Sequence, residues 1–255
     1  MKICFATEVT YPNYVERIKQ SSLKWFLEKE LNKKEIHYYI STNLPENFEE
    51  YKYTENIKIF DIEDLRSDRP ISKEYELFPE DPTGIYPSRY PWNTRRFIVE
   101  RAAKDGFDYI VYLEADNVLH INYDGDDIKK VLIGNYHPNT LQTNSAIFRY
   151  KNKAPHDVFE HHEKYIEHFN LKFEGHQYDT LDGACQVFIG ETNKDILRLI
   201  DNWHKFTEFG YKKDFGYGYG NNAHGVLSFV IPVSNFELKE SGFPFYPHHN
   251  FEDRY

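Results

Sequence analysis

The residues best suited to chemistry lie in the middle of the chain, where an apolar run ends in acids. Five consecutive apolar or aromatic residues, Tyr109 to Leu113, directly precede Glu114 and Asp116. Such a run is typical of a central strand in an α/β sheet, because helices cover both of its faces. Carboxylates at the carboxyl end of that strand lie at the ligand-binding crevice, where their oxygens suit Mg²⁺ or Mn²⁺ carried by a phosphate-bearing substrate. The alternative is that Asp116 and Asn117 only begin a turn.

The elements that position these acids begin with a strand–helix–strand pattern, which indicates a parallel sheet. Apolar residues recur at helical spacing after the first strand, and Asn13 is a plausible N-cap for that helix. The predicted elements are a strand over Lys2 to Ala6 ended by a turn over Thr7 to Asn13, a helix over Tyr14 to Leu31, and strands over Ile36 to Ile40 and Ile57 to Ile62.

The rest of the chain continues the α/β pattern after a proline-rich segment, Ser67 to Trp92, that predicts a long functional loop. No internal repeat or linker divides the chain, so we expect one domain over 1–255, with a nucleotide-binding half over 1–120 and an acceptor-binding half over 121–255. Pro232 to Tyr255 shows no clear period. The predicted elements are helices over Thr94 to Lys104, Asp157 to Phe169, Lys194 to Glu208 and Ala223 to Phe229, and strands over Leu141 to Tyr150 and Ala184 to Gly190.

The net charge, the apolar runs and the cysteines argue against several classes of protein. The formal net charge is −10, which argues against a protein that holds nucleic acid by general phosphate attraction. No apolar run is long enough for a membrane helix, and no signal-peptide pattern is present. Cys4 and Cys185 lie in apolar, strand-like stretches, so we expect buried thiols in a reducing compartment and a cytoplasmic protein.

Three short segments carry a resemblance to a known family. They are Phe5-Ala6-Thr7-Glu8 with Tyr11, Glu114-Ala115-Asp116, and Thr143-Asn144-Ser145-Ala146-Ile147-Phe148. With them the chain resembles the GT-A-fold glycosyltransferases, above all the retaining enzymes around glycogenin and the bacterial lipooligosaccharide galactosyltransferases, with a weaker similarity to the blood-group-type transferases. The resemblance covers most of residues 1–190. It implies a mixed central sheet flanked by helices and hexosyl or pentosyl transfer from a nucleoside diphosphate sugar, with a UDP-sugar favoured.

The resemblance also implies roles for individual residues. Ala6, Thr7, Glu8 and Tyr11 would surround the nucleotide base. In the DxD position, Asp116 would bind Mn²⁺ or Mg²⁺, and Glu114, which replaces the usual first Asp, would contact the ribose or the metal beside Ala115. Asn144 would contact the donor sugar, although Ala146 stands where the family usually has Gly.

Two arginines begin the helix before the acidic strand, where similar enzymes place an Arg that reaches the diphosphate or the sugar. Guanidinium groups match phosphate in geometry and keep their charge. Neighbours on a helix diverge, so only one of the pair faces the site. We favour Arg95, because Arg96 could equally be a solvated surface charge.

The remaining metal ligand and the catalytic acid are assigned from their places late in the chain. Many GT-A enzymes complete the metal shell with a C-terminal His, which here points to His248 or His249, with His224 as the alternative. Asp182 is the first choice for the reacting centre, followed by Asp179. The chain has Asn221-Asn222-Ala223 where the blood-group-type enzymes carry an acid, so a retaining or an inverting outcome stays open. A further set of histidines is expected to be solvated: His156, His161, His162 and His168.

Three other functions compete with transfer to a glycan, lipid or protein. A nucleotidyltransferase usually opens with a Gly-rich, basic loop after its first strand, and Thr7 to Asn13 contains neither Gly nor a basic residue. A non-catalytic carbohydrate-binding protein of transferase-like fold is consistent with Glu114 and with the missing late acid. A viral-type transferase acting on modified DNA is less favoured, because the net charge is −10.

Overall fold

The structure is a computed structural model whose centre is a seven-stranded mixed sheet. In spatial order its strands are β10 Glu237–Glu240, β6 Thr140–Thr143, β9 Cys185–Ile189, β4 Tyr109–Glu114, β1 Ile3–Val9, β2 Ile36–Thr42 and β3 Ile57–Asp61. Strand β9 runs antiparallel to both of its neighbours, and the other neighbouring pairs are parallel. The predicted α/β class with a mixed central sheet flanked by helices is confirmed. The described residues are 1–67, 69, 94–115, 117–119, 128–134, 136–143, 147–151, 162–171, 177–181, 185–213, 223–240 and 245–247.

The described residues also form two separate antiparallel sheets of two strands each. These are β5 Asn117–Leu119 with β11 Phe245–Pro247, and β7 Ile147–Lys151 with β8 Gln177–Leu181.

Helices cover both faces of the sheet in the described part of the chain. The helices are α1 Pro12–Gln20, α2 Ser22–Lys29, α3 Ile62–Arg66, α4 Arg95–Lys104, α5 Ile128–Gly134, α6 His162–Phe169, α7 Asn193–Lys212 and α8 Ala223–Val233, with a 3₁₀ helix over Pro45–Tyr51.

The core divides into two layers according to the alternation of each strand. On one face, Cys4, Tyr112 and Phe188 pack with α4, α7 and α8, and Trp203 is fully buried among them. On the other face, residues such as Phe5 pack with α1, α2 and α5. Cys4 and Cys185 are both buried free thiols, as expected. No helix in the described ranges is long and apolar enough to cross a membrane.

The first strand is longer than predicted. Thr7, Glu8 and Val9 were expected to form a turn, yet each pairs with β2. Thr7 and Glu8 also pair with β4, so hydrogen bonding from both neighbours extends the strand into its polar residues. Glu8 therefore belongs to the sheet and not to a turn, so the strand fixes the position of its side chain.

The helix predicted over Tyr14 to Leu31 is two helices. Pro12 occupies the first turn of α1 and Tyr11 is its N-cap, so the predicted Asn13 cap is wrong; proline suits that position because its fixed φ is helical and its missing N–H needs no partner. The helical conformation is interrupted at Ser21, whose Oγ donates a hydrogen bond to the Arg17 carbonyl at 2.6 Å. The apolar spacing hid this break, because both helices pack on the same face of the sheet.

Later elements agree with the predictions in type and differ in extent. Helix α4 ends as expected at Asp105 and Gly106, where Gly106 adopts a φ of 93°, a conformation that glycine tolerates best. The strand predicted over Leu141 to Tyr150 consists of β6 and β7, which belong to different sheets. The aperiodic end of the chain contributes β10 and β11, because their partners lie far away in the sequence.

Candidate functional site

The candidate site lies where the parallel strands β1 and β4 end side by side. Glu8 of β1 is in register with Glu114 of β4, and their alternation places both side chains on the face covered by α4. Helix α4 begins at this edge, with Thr94 as its N-cap and Arg95 as its first residue. The structure thus brings together three of the residues predicted from the sequence: Glu8, Arg95 and Glu114.

Arg95 and Glu114 form an ion pair at this edge. Arg95 Nη2 donates to Glu114 Oε1 at 2.7 Å, and the guanidinium carbon lies 5.0 Å from the centre of the Tyr112 ring. The Arg95 side chain is 2% exposed, whereas that of Glu114 is 29% exposed. Burial lowers the pKa of Arg95, but the charge and hydrogen bond of Glu114, together with the nearby Tyr112 and Glu8, outweigh it, so the pKa is raised. A permanent positive charge is therefore fixed beside a carboxylate that solvent can reach.

Glu8 is held by the residue that begins α4. Thr94 Oγ1 donates to Glu8 Oε1 at 2.6 Å, and the other oxygen, Oε2, is enclosed without a hydrogen-bond partner in the described ranges. Burial raises the pKa of Glu8 to about 7, although the Thr94 hydrogen bond and nearby arginines oppose the shift. At neutral pH this carboxyl therefore exists in both protonation states.

This shift predicts that Glu8→Gln changes the pH dependence of folding. A raised pKa in the folded state means that the stability contribution of Glu8 is present below its ordinary pKa of 4.5 and is lost as the pH rises through about 7. The glutamine keeps an acceptor for Thr94 and does not ionise. We expect the variant to gain stability relative to the natural protein between pH 5 and 8, by up to about 1.4 kcal/mol for each unit of raised pKa.

Urea unfolding at pH 5, 6, 7 and 8 measures this difference. Glu49→Gln is the matched control, because the Glu49 side chain is 62% exposed in a surface ion pair. A difference between Glu8→Gln and the natural protein that stays constant over this range contradicts the assignment.

The other residues predicted to surround the base lie nearby on β1 and at the start of α1. Ala6 is fully buried on the α4 face, whereas the side chain of Thr7 is buried on the opposite face. Tyr11 is partly buried and its ring lies 5.5 Å from that of Tyr14. Ala115 follows β4 and is also buried on the face opposite Glu114. Their contacts with a base stay predictions.

Several predicted site residues lie outside the described residues, so their roles also stay predictions: Asp116, Asn144, Asp182, His248, His249. Asp179 lies in β8, in register with Arg149 of β7. The backbone does bring two ends of this set close, because Asn117 of β5 lies opposite Pro247 of β11. Asn117 follows Asp116 in sequence, and Pro247 precedes His248. The C-terminal segment therefore reaches the neighbourhood of the predicted metal acid.

Arg96 is not a solvated surface charge, so that alternative is wrong. Its side chain is fully buried, and its Nε donates to His204 Nδ1 at 2.9 Å. Because Arg Nε is only a donor, His204 carries its proton on Nε2 and donates it to Glu100 Oε2 at 2.9 Å. Sequence analysis missed His204, since nothing in its local pattern indicates a partner more than 100 positions away.

This buried network holds α4 against α7. Burial lowers the pKa of His204 to about 4, and the Arg96 charge acts in the same direction. Burial alone raises the pKa of Glu100, but hydrogen bonds from His204, Arg69 and Lys104 bring it well below its ordinary value. His204 is thus neutral and Glu100 ionised at neutral pH.

Two further polar residues lie on the same face of the sheet and were not predicted as site residues. Gln186 of β9 is in register with Tyr112 of β4 on one side and Thr143 of β6 on the other. Gln186 and Thr143 are fully buried. A polar residue inside the otherwise apolar strand Cys185–Ile189 is the signal that could have identified Gln186.

The described residues offer few metal ligands. No group of three His, Cys, Asp or Glu side chains within them is arranged to hold an ion. At the site, Glu114 supplies a carboxylate whose side chain is 29% exposed. His168, one of the histidines expected to be solvated, is exposed, and its ring stacks 4.1 Å from that of Phe209 on α7.

Comparison with known proteins gives likenesses to solved structures. No family model and no curated protein matches the chain. Among solved structures, the crystal structure of mouse xyloside xylosyltransferase 1 in its apo form is similar over 94% of this chain and 84% of that chain, at 12% sequence identity and a TM-score of 0.48. A likeness of this strength carries no argument about activity.

Proposed function

We propose that this protein is a metal-dependent glycosyltransferase of the GT-A type. It transfers a sugar from a nucleoside diphosphate sugar, with a UDP-sugar favoured, to a glycan, lipid or protein acceptor. The observation that carries the proposal is the convergence of Glu8, Arg95 and Glu114 at the carboxyl ends of β1 and β4, in the order that the resemblance implies. Open α/β sheets bind their ligands at such an edge.

The charges at this edge fit a diphosphate with a divalent ion. The Arg95 guanidinium is fixed in place and permanently charged, which suits a phosphate oxygen. Ions bound together with phosphates need only one or two protein carboxylates, and Glu114 offers a partly exposed one two residues before Asp116. We therefore propose that Asp116 and Glu114 hold Mn²⁺ or Mg²⁺. An ion held by these residues would supply positive charge to the diphosphate as a Lewis acid.

The C-terminal segment is the proposed source of a further ligand. The pairing of β11 with β5 supports this role, because Pro247 lies opposite Asn117. His248 follows Pro247 and Asp116 precedes Asn117, so chain connectivity limits how far apart these two residues lie. We favour His248 over His249 and His224 for this reason.

The transfer itself forms a bond between the acceptor oxygen and the anomeric carbon and breaks the bond from that carbon to the diphosphate oxygen. The nucleoside diphosphate leaves with the electron pair of the broken bond and takes up the proton that the acceptor hydroxyl loses, and Arg95 stabilises the charge on this leaving group. We propose that Asp182 lies near the reacting carbon, with Asp179 as the alternative.

Replacing Asp182 with asparagine should lower turnover by at least about a hundredfold, or roughly 2.7 kcal/mol of transition-state stabilisation. The substitution keeps the size of the side chain and removes its charge, so donor affinity should persist. Steady-state transfer rates and calorimetric UDP-sugar titrations measure the two quantities, with Asp179→Asn as the comparison. Unchanged turnover in Asp182→Asn would shift the catalytic assignment to Asp179.

A screen of nucleotide sugars tests the whole proposal. Thermal unfolding with Mn²⁺ and each of UDP, UDP-glucose, UDP-galactose, UDP-xylose and UDP-N-acetylglucosamine should reveal a donor, because a bound ligand raises stability by mass action. Slow metal-dependent hydrolysis of that donor should accompany binding. Binding without hydrolysis or transfer would favour a non-catalytic binding protein, and no binding at all contradicts the proposal.

A further inference from the structure

Gln186 carries a buried amide with no hydrogen-bond partner. The residue has no exposed surface, and neither Oε1 nor Nε2 finds a partner in the described part of the chain. A glutamine amide offers an acceptor oxygen and two donor hydrogens. Native proteins satisfy the large majority of such groups, because each buried one left unpaired costs about 1–3 kcal/mol. An amide kept at this cost therefore requires an explanation.

The position of Gln186 links it to the candidate site. On β9 its neighbour is Tyr112 of β4, over whose ring the Arg95 guanidinium lies at 5.0 Å. Tyr112 and Phe188 both belong to the core layer under α4, whereas Cys185 and Val187 pack on the other face. The alternation of β9 thus directs Gln186 to the same face as Glu114, at the level of Tyr112, two residues further from the carboxyl end of β4.

The strand order gives this position a chemical meaning. Strands β1, β4 and β9 are adjacent, and they place Glu8, Glu114 and Gln186 on this face. Arg95, from the start of α4, lies against Glu114 of the middle strand. Two strand spacings, about 10 Å, separate β1 from β9. If the base lies at β1 and the diphosphate at β4, as proposed above, then the next group along the donor is the sugar, at β9.

The chemistry of an amide agrees with that order. A phosphate oxygen only accepts hydrogen bonds and is better matched by Arg95. A sugar hydroxyl both donates and accepts, as the two ends of an amide do. We propose that the side-chain amide of Gln186 binds a hydroxyl group of the donor sugar and so contributes to donor selectivity. This inference rests on the proposed function. A bound sugar must displace the side chains that now cover the amide.

Gln186→Met tests the proposal, because it removes the amide and keeps the length of the side chain. Calorimetry with Mn²⁺ gives the dissociation constants of UDP and of the UDP-sugar that the natural protein binds most tightly. We expect about a tenfold loss of affinity for the UDP-sugar, the effect of one lost hydrogen bond, with UDP affinity unchanged within about twofold. The urea midpoint should be unchanged or higher, since an unpaired amide is lost.

Gln142→Met is the matched control. Gln142 of β6 is also buried in register with β9, but its neighbour there is Val187 and its side chain lies on the opposite face. It should leave the ratio of the two dissociation constants unchanged. Gln186→Asn provides a second variant that withdraws the amide by one methylene, and it should weaken sugar binding in the same selective way.

The outcomes separate the alternatives. A lower urea midpoint for Gln186→Met with an unchanged ratio indicates that an internal water satisfies the amide, and it overturns the inference. Equal losses of UDP and UDP-sugar affinity overturn it as well, because the residue then acts on the whole site. A natural protein that binds neither UDP nor any of the four UDP-sugars contradicts the proposed function itself, and this inference with it.

Discussion

Replacing Asp116 with asparagine should abolish Mn²⁺-dependent binding of UDP and UDP-sugars while leaving the protein folded. Asp116 comes between Ala115, which is buried, and Asn117 of β5 in the sequence, so we expect its carboxylate near the edge where Glu8, Arg95 and Glu114 meet. Asparagine keeps the size and loses the negative charge that the ion requires. The expected calorimetric result with Mn²⁺ present is no measurable heat of UDP binding at concentrations that saturate the natural protein.

The comparison with Glu114→Gln makes this expectation specific. The Glu114 carboxylate already forms an ion pair with Arg95 at 2.7 Å. Removing the charge of Glu114 should therefore weaken metal-dependent binding less than removing the charge of Asp116. Asp108→Asn is the control, because Asp108 precedes β4 at the opposite end of the same strand. UDP affinity in Asp116→Asn equal to that of the natural protein, with the same dependence on Mn²⁺, would contradict the metal assignment.

The sequence predicted those parts of the fold that depend on local pattern. Tyr109 to Leu113 indicated β4 because an uninterrupted apolar run needs cover on both faces, and the structure has helices on both faces. Helix α4 was found with both ends near their observed places, since Asp105 and Gly106 end it by local chemistry. The four strands through β4 followed from spacing alone, whereas the break between α1 and α2, the 3₁₀ helix and α3 were not predicted.

The parts that were missed depend on pairing over long distances. Thr7 and Glu8 read as a turn because they are polar, but β2 and β4 hydrogen-bond to them on both sides. The antiparallel direction of β9 and the existence of β10 and β11 are likewise set by partners elsewhere in the chain. Local propensity carries little information about such contacts.

The same distinction applies to the candidate site. Glu114 could be proposed because it ends the apolar run of β4, whereas Glu8 and Arg95 were proposed because they match positions that the family resemblance implies. Arg96 could not be distinguished from a surface charge, since burying a guanidinium requires partners, and its partner His204 comes from α7. Gln186 interrupts an otherwise apolar strand, and this signal was overlooked; that its amide has no hydrogen-bond partner among the described residues is visible only in the folded structure.

The network around Arg96 leads to the largest expected effect on stability, in the variant His204→Leu. His204 accepts from Arg96 Nε and donates to Glu100 Oε2, both at 2.9 Å, and all three side chains are almost fully buried. Leucine fills similar volume and offers neither group. Removing one member of a buried charged set costs about 3–5 kcal/mol, because the charges that stay behind lose their compensation. We expect a loss of this size in urea unfolding at pH 7.5.

The pH dependence of the natural protein distinguishes this network from simple packing. The pKa of His204 is lowered to about 4, so its contribution is present above its ordinary pKa of 6.5 and is lost as the pH falls through about 4. The cost of His204→Leu should therefore shrink as the pH falls from 7 towards 4. Glu8 acts in the opposite direction over part of this range, so only the difference between variant and natural protein is informative.

His204→Asn and His137→Leu complete this last test. Asparagine can place an acceptor oxygen near the position of Nδ1 and so keep the Arg96 hydrogen bond. We therefore expect His204→Asn to lose less unfolding free energy than His204→Leu. His137 is exposed, and its substitution should change the unfolding free energy by less than about 0.5 kcal/mol. Because α4 also carries Arg95, His204→Leu should weaken Mn²⁺–UDP binding at pH 7.5 even where the protein is fully folded. A His204→Leu protein with the urea midpoint of the natural chain at every pH would show that Arg96 and Glu100 are compensated without His204.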